Sequence, residues 1–236
     1  MSAPFVVQIA ARSEAPDDLA RLVALTREAR SAGSEAVIVD DTGRGLDASV
    51  TVGFLAAEVP EVRLAFVAGT GLNAPYNLAR RVLSLHRETG GRAGVLLRED
   101  GTDEVTTRAR ALQEHIGFAD AATRLSDYVD VVAKLWTSFP EAALVGDQQA
   151  GIFADADLVH PVGHEGSTYR VAGPLNVPTT GEAAPALYTE LTNAGPTDHP
   201  EVLRIQRGQG SRILRRFVVD SPGDLHALLT DAEVAS

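Results

Sequence analysis

With 236 residues, 44% of them hydrophobic, the chain is long enough for one α/β domain of barrel size, or at most two small domains. A formal net charge of −11 and a pI near 5.0 argue against a sequence-independent grip on nucleic acid, which needs a basic surface. The absence of cysteine excludes disulfides, thiolate metal sites and a cysteine nucleophile and fits a reducing cytoplasm, while the first apolar run, broken by Gln8, is too short for a signal or a membrane span.

Phe5-Val6-Val7-Gln8-Ile9-Ala10 is a β-rich run and reads as the first strand. Across residues 17–30, Leu19, Leu22, Val23, Leu25 and Ala29 fall near helical spacing, with Pro16 and Gly33 as start and stop signals. Ala36-Val37-Ile38-Val39 is an unbroken apolar run ending in Asp40-Asp41, which predicts a strand buried on both faces, as in a parallel sheet. A helical stretch around 49–57, a strand at 63–68, a helix over 76–87 and a strand at 93–97 repeat the cycle. A long amphipathic helix is predicted over 121–138, with Leu125, Val129, Val132, Leu135 and Trp136 on one side. Between residues 139 and 184 the rhythm stops and glycine, proline, aspartate and histidine dominate. A loop that long inside a compact domain is often functional. Strands resume at 185–189, 202–205 and 213–219, and 224–229 reads as a short closing helix.

Four strand–helix cycles in the first hundred or so residues predict α/β architecture. The seven candidate strands are one short of an eight-stranded parallel barrel. The expectation is an incomplete (β/α) barrel of TIM type, one domain over residues 1–236, with residues 139–184 as an irregular insertion. No G-x-G-x-x-G follows the first strand, and Ser13, Ser84 and Ser211 lack a G-x-S-x-G context. Neither a dinucleotide fold nor a serine hydrolase is supported.

Pro75-Tyr76-Asn77-Leu78-Ala79-Arg80 and Gly90-Gly91-Arg92-Ala93-Gly94 resemble the P-Y-N-x-A-R and G-G-R-x-G stretches of the bacterial-luciferase-like flavin monooxygenases. The branch is that of the nitrilotriacetate, dibenzothiophene-sulfone and pristinamycin-type enzymes. Asp127-Tyr128 through Leu135-Trp136 resembles their E-[FY]-x-x-V-x-x-L-W helix, and His164-Glu165-Gly166 and Gly173-Pro174-Leu175-Asn176-Val177-Pro178 match their insertion over the barrel mouth. The resemblance covers roughly residues 30 to 190. It implies an oxygenase that uses reduced FMN, delivered by a separate flavin reductase, on a small organic substrate. It also implies a homodimer, or a heterodimer with a related barrel.

The site departs from that pattern. Leu96 stands where the fourth strand usually carries Asn, Glu99-Asp100 where it ends in Thr-Ser, and Ala121-Ala122 where an arginine–tyrosine pair is expected. The phosphate-binding stretch after the fifth strand becomes Glu190-Leu191-Thr192-Asn193-Ala194-Gly195. Thr192 and Asn193 can hydrogen-bond a phosphate there, with Glu190 a repulsive neighbour. The cofactor-binding candidates are therefore Asp41, Thr70, Arg98, Thr192 and Asn193, and no catalytic residue is assigned. Each has a plainer alternative. Asp41 sits in a turn-forming βα loop, Thr70 lies between Gly69 and Gly71 in a tight loop, and Arg98 has Glu99 and Asp100 beside it for a salt bridge. His160, His164, Asp155 and Asp157 match no compact metal motif, so no metal is expected. FMN is expected to be bound weakly or lost. The rival readings are a non-catalytic flavin-binding or partner subunit, and a structural homologue that binds no flavin.

Overall fold

A computed structural model describes residues 4–11, 18–40, 45–71, 73–98, 121–179, 181, 184–190, 201–207, 210–221 and 223–234. In chain order the elements are β1 (Phe5–Ala10), α1 (Asp18–Ser31), β2 (Val37–Asp40), α2 (Ala48–Glu58), β3 (Leu64–Gly69), α3 (Pro75–Glu88), β4 (Ala93–Arg98) and α4 (Ala121–Thr137). The short strands β5 (Leu144–Asp147), β6 (Ile152–Ala154), β7 (His164–Glu165) and β8 (Arg170–Val171) follow. The chain then forms β9 (Ala186–Glu190), β10 (Glu201–Arg207), β11 (Gly210–Val219) and α5 (Asp224–Val234). It packs as two compact units, residues 1–67, 92–96 and 186–236 in one, and 68–91 and 97–185 in the other.

The first unit carries the sheet, which closes in the order β1-β11-β10-β9-β4-β3-β2. These are the seven strands expected from the apolar runs. β1 pairs in parallel with β2 and β11, and β2 with β3. β10 departs from the expected parallel pattern, running antiparallel to both β9 and β11. Side chains alternate along a strand, so Val6, Ala36, Ile38, Ala65, Leu96, Tyr188 and Leu214 meet in one buried cluster on the inner face. Helix α2 begins at Asp47, whose carboxylate accepts from the Ser49 and Val50 N–H groups at 2.9 and 3.0 Å. Gly94 is fixed by close approach, since a Cβ there would lie 2.5 Å from the Ala186 carbonyl oxygen. Arg92 donates to the carbonyls of Val62 and Ala56 at 3.2 and 3.1 Å, tying the chain before β4 to the end of α2.

In the second unit, Pro75 opens α3 at its first turn, where its missing N–H costs nothing. Gly90 and Gly91, both left-handed, close it, the Gly91 N–H reaching the His86 carbonyl at 2.8 Å. Helix α4 lies against α3 through Trp136, 3% exposed, whose Nε1–H donates to the Ala79 carbonyl at 3.0 Å. His86 is buried on α3. The insertion forms two hairpins, β5-β6 and β7-β8, and is stitched to the end of α4. The His160 N–H bonds the Ser138 carbonyl, the Leu175 N–H the Ser138 hydroxyl and the Thr179 N–H the Phe139 carbonyl, each at 2.9 Å. Among the described residues no helix is long and apolar enough to cross a membrane.

Candidate functional site

Polar residues of the first unit replace the apolar layer toward the C-terminal strand ends, where (β/α) barrels carry their sites. Gln8, Asp40, Glu190 and Arg216 share the strand parity of Val6, Ile38, Tyr188 and Leu214. Gln8 Nε2 donates to Asp40 at 3.0 Å, and Arg216 Nη1 donates to Gln8 Oε1 at 3.0 Å and to Glu190 at 2.8 Å. Gln8, Asp40 and Arg216 are buried and Glu190 is half-buried. The Glu190 carboxylate, read from sequence as a repulsive neighbour of a phosphate, thus faces a guanidinium that offsets its charge. Sequence reasoning does not single out Arg216, although its parity with Leu214 in a partly apolar strand places it on the inner face.

In the second unit the candidates Thr70 and Arg98 come together, the Thr70 N–H donating to the Arg98 carbonyl at 3.1 Å. Thr70 is 2% exposed, yet among the described residues its Oγ1 has no hydrogen-bond partner. A buried hydroxyl in that state costs about 1–3 kcal/mol, so it asks for an explanation. The backbone around it is held from several sides. Asn73 Nδ2 donates to the Gly69 carbonyl at 2.9 Å, Arg81 to Asn73 Oδ1 at 3.0 Å, and the Tyr128 hydroxyl to the Asn73 carbonyl at 2.9 Å. The Tyr169 hydroxyl reaches the Thr70 carbonyl at 3.5 Å, a long hydrogen bond, and its ring meets that of Tyr128 edge-on at 5.4 Å.

Behind the tyrosines, Asp127 of α4 takes three donors. Its Oδ2 accepts from the Thr168 and Tyr169 N–H groups at 2.6 and 2.9 Å, and its Oδ1 lies 2.6 Å from His164 Nε2. Lys134 Nζ lies 3.0 Å from His164 Nδ1. An ammonium only donates, so Nδ1 accepts and Nε2 carries the proton directed at Asp127. Burial raises the Asp127 carboxyl, but the two backbone donors and His164 outweigh it and hold it below its ordinary value of 3.8. A Cβ at Gly166 would run into the Asp127 carboxylate and the His164 ring, which accounts for the glycine of the H-E-G stretch. Asp127 and His164 lie in segments that carry the family resemblance, but nothing in the sequence signals that they meet, because 37 positions separate them.

Asp41, Thr192 and Asn193 lie outside the described residues, as do Glu99 and Asp100. Leu96 is fully buried in the apolar cluster. Asp155 caps a 3-10 turn by accepting from the Asp157 N–H at 3.0 Å, and His160 is exposed. Among the described residues no group of three or more His, Asp or Glu side chains is placed to hold a metal ion.

A family model described as luciferase-like monooxygenase matches residues 1–198. Dibenzothiophene-sulfone monooxygenase of Rhodococcus erythropolis is 32% identical over 155 residues, which are 62% of this chain and 34% of that protein. Nitrilotriacetate monooxygenase component A of Aminobacter aminovorans is 29% identical over 160 residues, 65% of this chain and 34% of that one. This chain therefore spans about a third of the length of either relative. A riboflavin lyase solved with modified FMN and its substrate riboflavin superposes with a TM-score of 0.65 at 24% identity, over 80% of this chain and 50% of the lyase. That likeness speaks to the fold.

Proposed function

Since the chain belongs to the luciferase-like monooxygenase family, we propose that it is a flavoprotein of oxygenase type that takes reduced FMN from a separate reductase and holds it weakly. It acts as one domain over residues 1–236, in the cytoplasm, paired with a second copy or a related barrel. The observation that carries this reading is the Thr70 hydroxyl, buried just past the C-terminal end of β3 and without a hydrogen-bond partner among the described residues. A flavin, rich in ring nitrogens and carbonyls, supplies the partner such a hydroxyl lacks. Arg98, at the end of β4 on the same strand parity as Leu96, brings a cation suited to an anionic cofactor. Asp41, Thr192 and Asn193 complete the cofactor-binding set by resemblance.

Reduced FMN, when bound, supplies the electrons that activate O₂ for insertion of one oxygen atom into a small organic substrate. The chain's own contribution is position and exclusion of water. Thr70 and Arg98 orient the ring system, and the hydrogen bonds of Asn73 to the Gly69 carbonyl and of Tyr128 to the Asn73 carbonyl hold the backbone beside the hydroxyl in place. Weak binding follows from the lost amide at Leu96, the lost hydroxyls at Glu99-Asp100 and the lost arginine–tyrosine pair at Ala121-Ala122. Each lost hydrogen bond of charged type is worth about 1.5–3 kcal/mol, and two or three together weaken binding by several powers of ten.

The test combines calorimetry with oxidised FMN and chemical denaturation of Thr70→Val. Removing a hydroxyl kept for the cofactor stabilises the free protein by about 1 kcal/mol and lowers FMN affinity by about tenfold. Micromolar or weaker binding by the wild type, with that opposite pair of effects, is the expected result. Submicromolar binding would show that the site is not depleted. No binding at high FMN favours the second reading, a homologue without flavin, for which full burial of Leu96 in an apolar interior is the specific support.

A further inference from the structure

We infer that Asp127 and His164 are positioning residues: through the turn between β7 and β8 they set the segment that carries the Thr70 hydroxyl. Asp127 binds the Thr168 and Tyr169 N–H groups with one oxygen and His164 Nε2–H with the other. The β7–β8 hairpin is therefore held to Asp127 of α4 at three points, all converging on one buried carboxylate. The residue it delivers is Tyr169. Its ring stands edge-on against Tyr128 at 5.4 Å, and its hydroxyl reaches the Thr70 carbonyl. Tyr128, one residue after Asp127 on the same helix, holds the Asn73 carbonyl at 2.9 Å. Asp127 thus stands behind both tyrosines, one through its own helix and one through the turn it captures, and the two together grip the chain on either side of Gly71.

The arrangement has the marks of a positioning device rather than a reacting centre. The route from Asp127 and His164 to Thr70 runs through these two tyrosines and the backbone they hold. The outer ring nitrogen of His164 is taken by Lys134, so the imidazole is bound at both nitrogens. Gly166 leaves room for this and for nothing larger. The effect on flavin rests on the function proposed above, whereas the mechanical coupling of the turn to Thr70 does not.

The two are separable by hydrogen exchange on the flavin-free protein, followed by FMN titration of the same samples. In Asp127→Asn an amide NH₂ replaces one oxygen, so one of the three donors faces another donor. Exchange at Thr168 and Tyr169, and at the Thr70 amide that donates to Arg98, should rise about tenfold. His164→Leu should behave likewise, while His164→Gln, which keeps an N–H donor within reach of Asp127, should restore protection. Tyr169→Phe keeps the anchor and the ring packing but removes the hydroxyl contact, so it should free the Thr70 amide while leaving Thr168 protected. This variant also serves if Asp127→Asn fails to fold. Faster exchange in the turn with an unchanged Thr70 amide would overturn the inference, as would His164→Gln behaving like His164→Leu. In the titration, Asp127→Asn should weaken FMN and alter the visible spectrum of the bound flavin. If the wild type binds no FMN, the flavin reading falls and the exchange result still decides the coupling.

Discussion

At Asp127 three donors converge on one carboxylate, and what they lend to stability depends on its charge. The folded-state pKa lies below the ordinary 3.8, so folding favours the ionised form. That contribution is complete above the unfolded-state value and is lost as pH falls through the folded one. The wild type should therefore lose its urea-midpoint advantage over Asp127→Asn progressively as the pH falls below the ordinary carboxylate range. An advantage that stays constant through acid would show that the carboxylate's charge does not contribute. Other residues behave as simpler fixtures. Gly94 stands where a side chain would strike Ala186, and Arg92 closes two carbonyls at once. In these positions the family-like motifs record packing rather than chemistry.

Within the sheet, the chain Asp40–Gln8–Arg216–Glu190 links β2, β1, β11 and β9 across the interior. Arg216→Met removes the donor that both Gln8 and Glu190 use, and should cost about 2 kcal/mol, because a buried acceptor pays its desolvation once its donor is gone. Adding Glu190→Gln to that variant should recover part of the loss. A double-mutant cycle showing strict additivity would mean that the pair does not interact in solution. The strands themselves were legible because apolar runs buried on both faces leave a strong trace, and the helices because Leu and Val recur with the helical period. The direction of β10 was not legible. Gly208-Gln209 between two short strands is a hairpin signal, but the preceding βα rhythm favoured a crossover. The Asp127–His164 pairing and the role of Arg216 were hidden for another reason: a contact between distant positions has no periodicity to betray it.

At the scale of the whole molecule, Val50 and Phe54 lie one turn apart on α2, 71% and 37% exposed. Apolar side chains left open at helical spacing suit a second copy of an early helix. Light scattering at micromolar concentration should report a dimer, and Val50→Glu with Phe54→Glu should reduce it to a monomer. A monomeric wild type would count directly against the pairing. The register of β1 with β11, Phe5 opposite Arg215 through Ile9 opposite Val219, has a further consequence for how the protein is made. A strand that leaves the ribosome early is completed by one that leaves it long afterwards, and contacts of such long sequence separation form slowly. Until β11 emerges, Phe5-Val6-Val7-Gln8-Ile9-Ala10 presents an apolar edge with an open row of backbone donors and acceptors, the kind of edge that recruits other chains. Slowing synthesis just ahead of β11 should therefore lower the soluble yield more than slowing it just after.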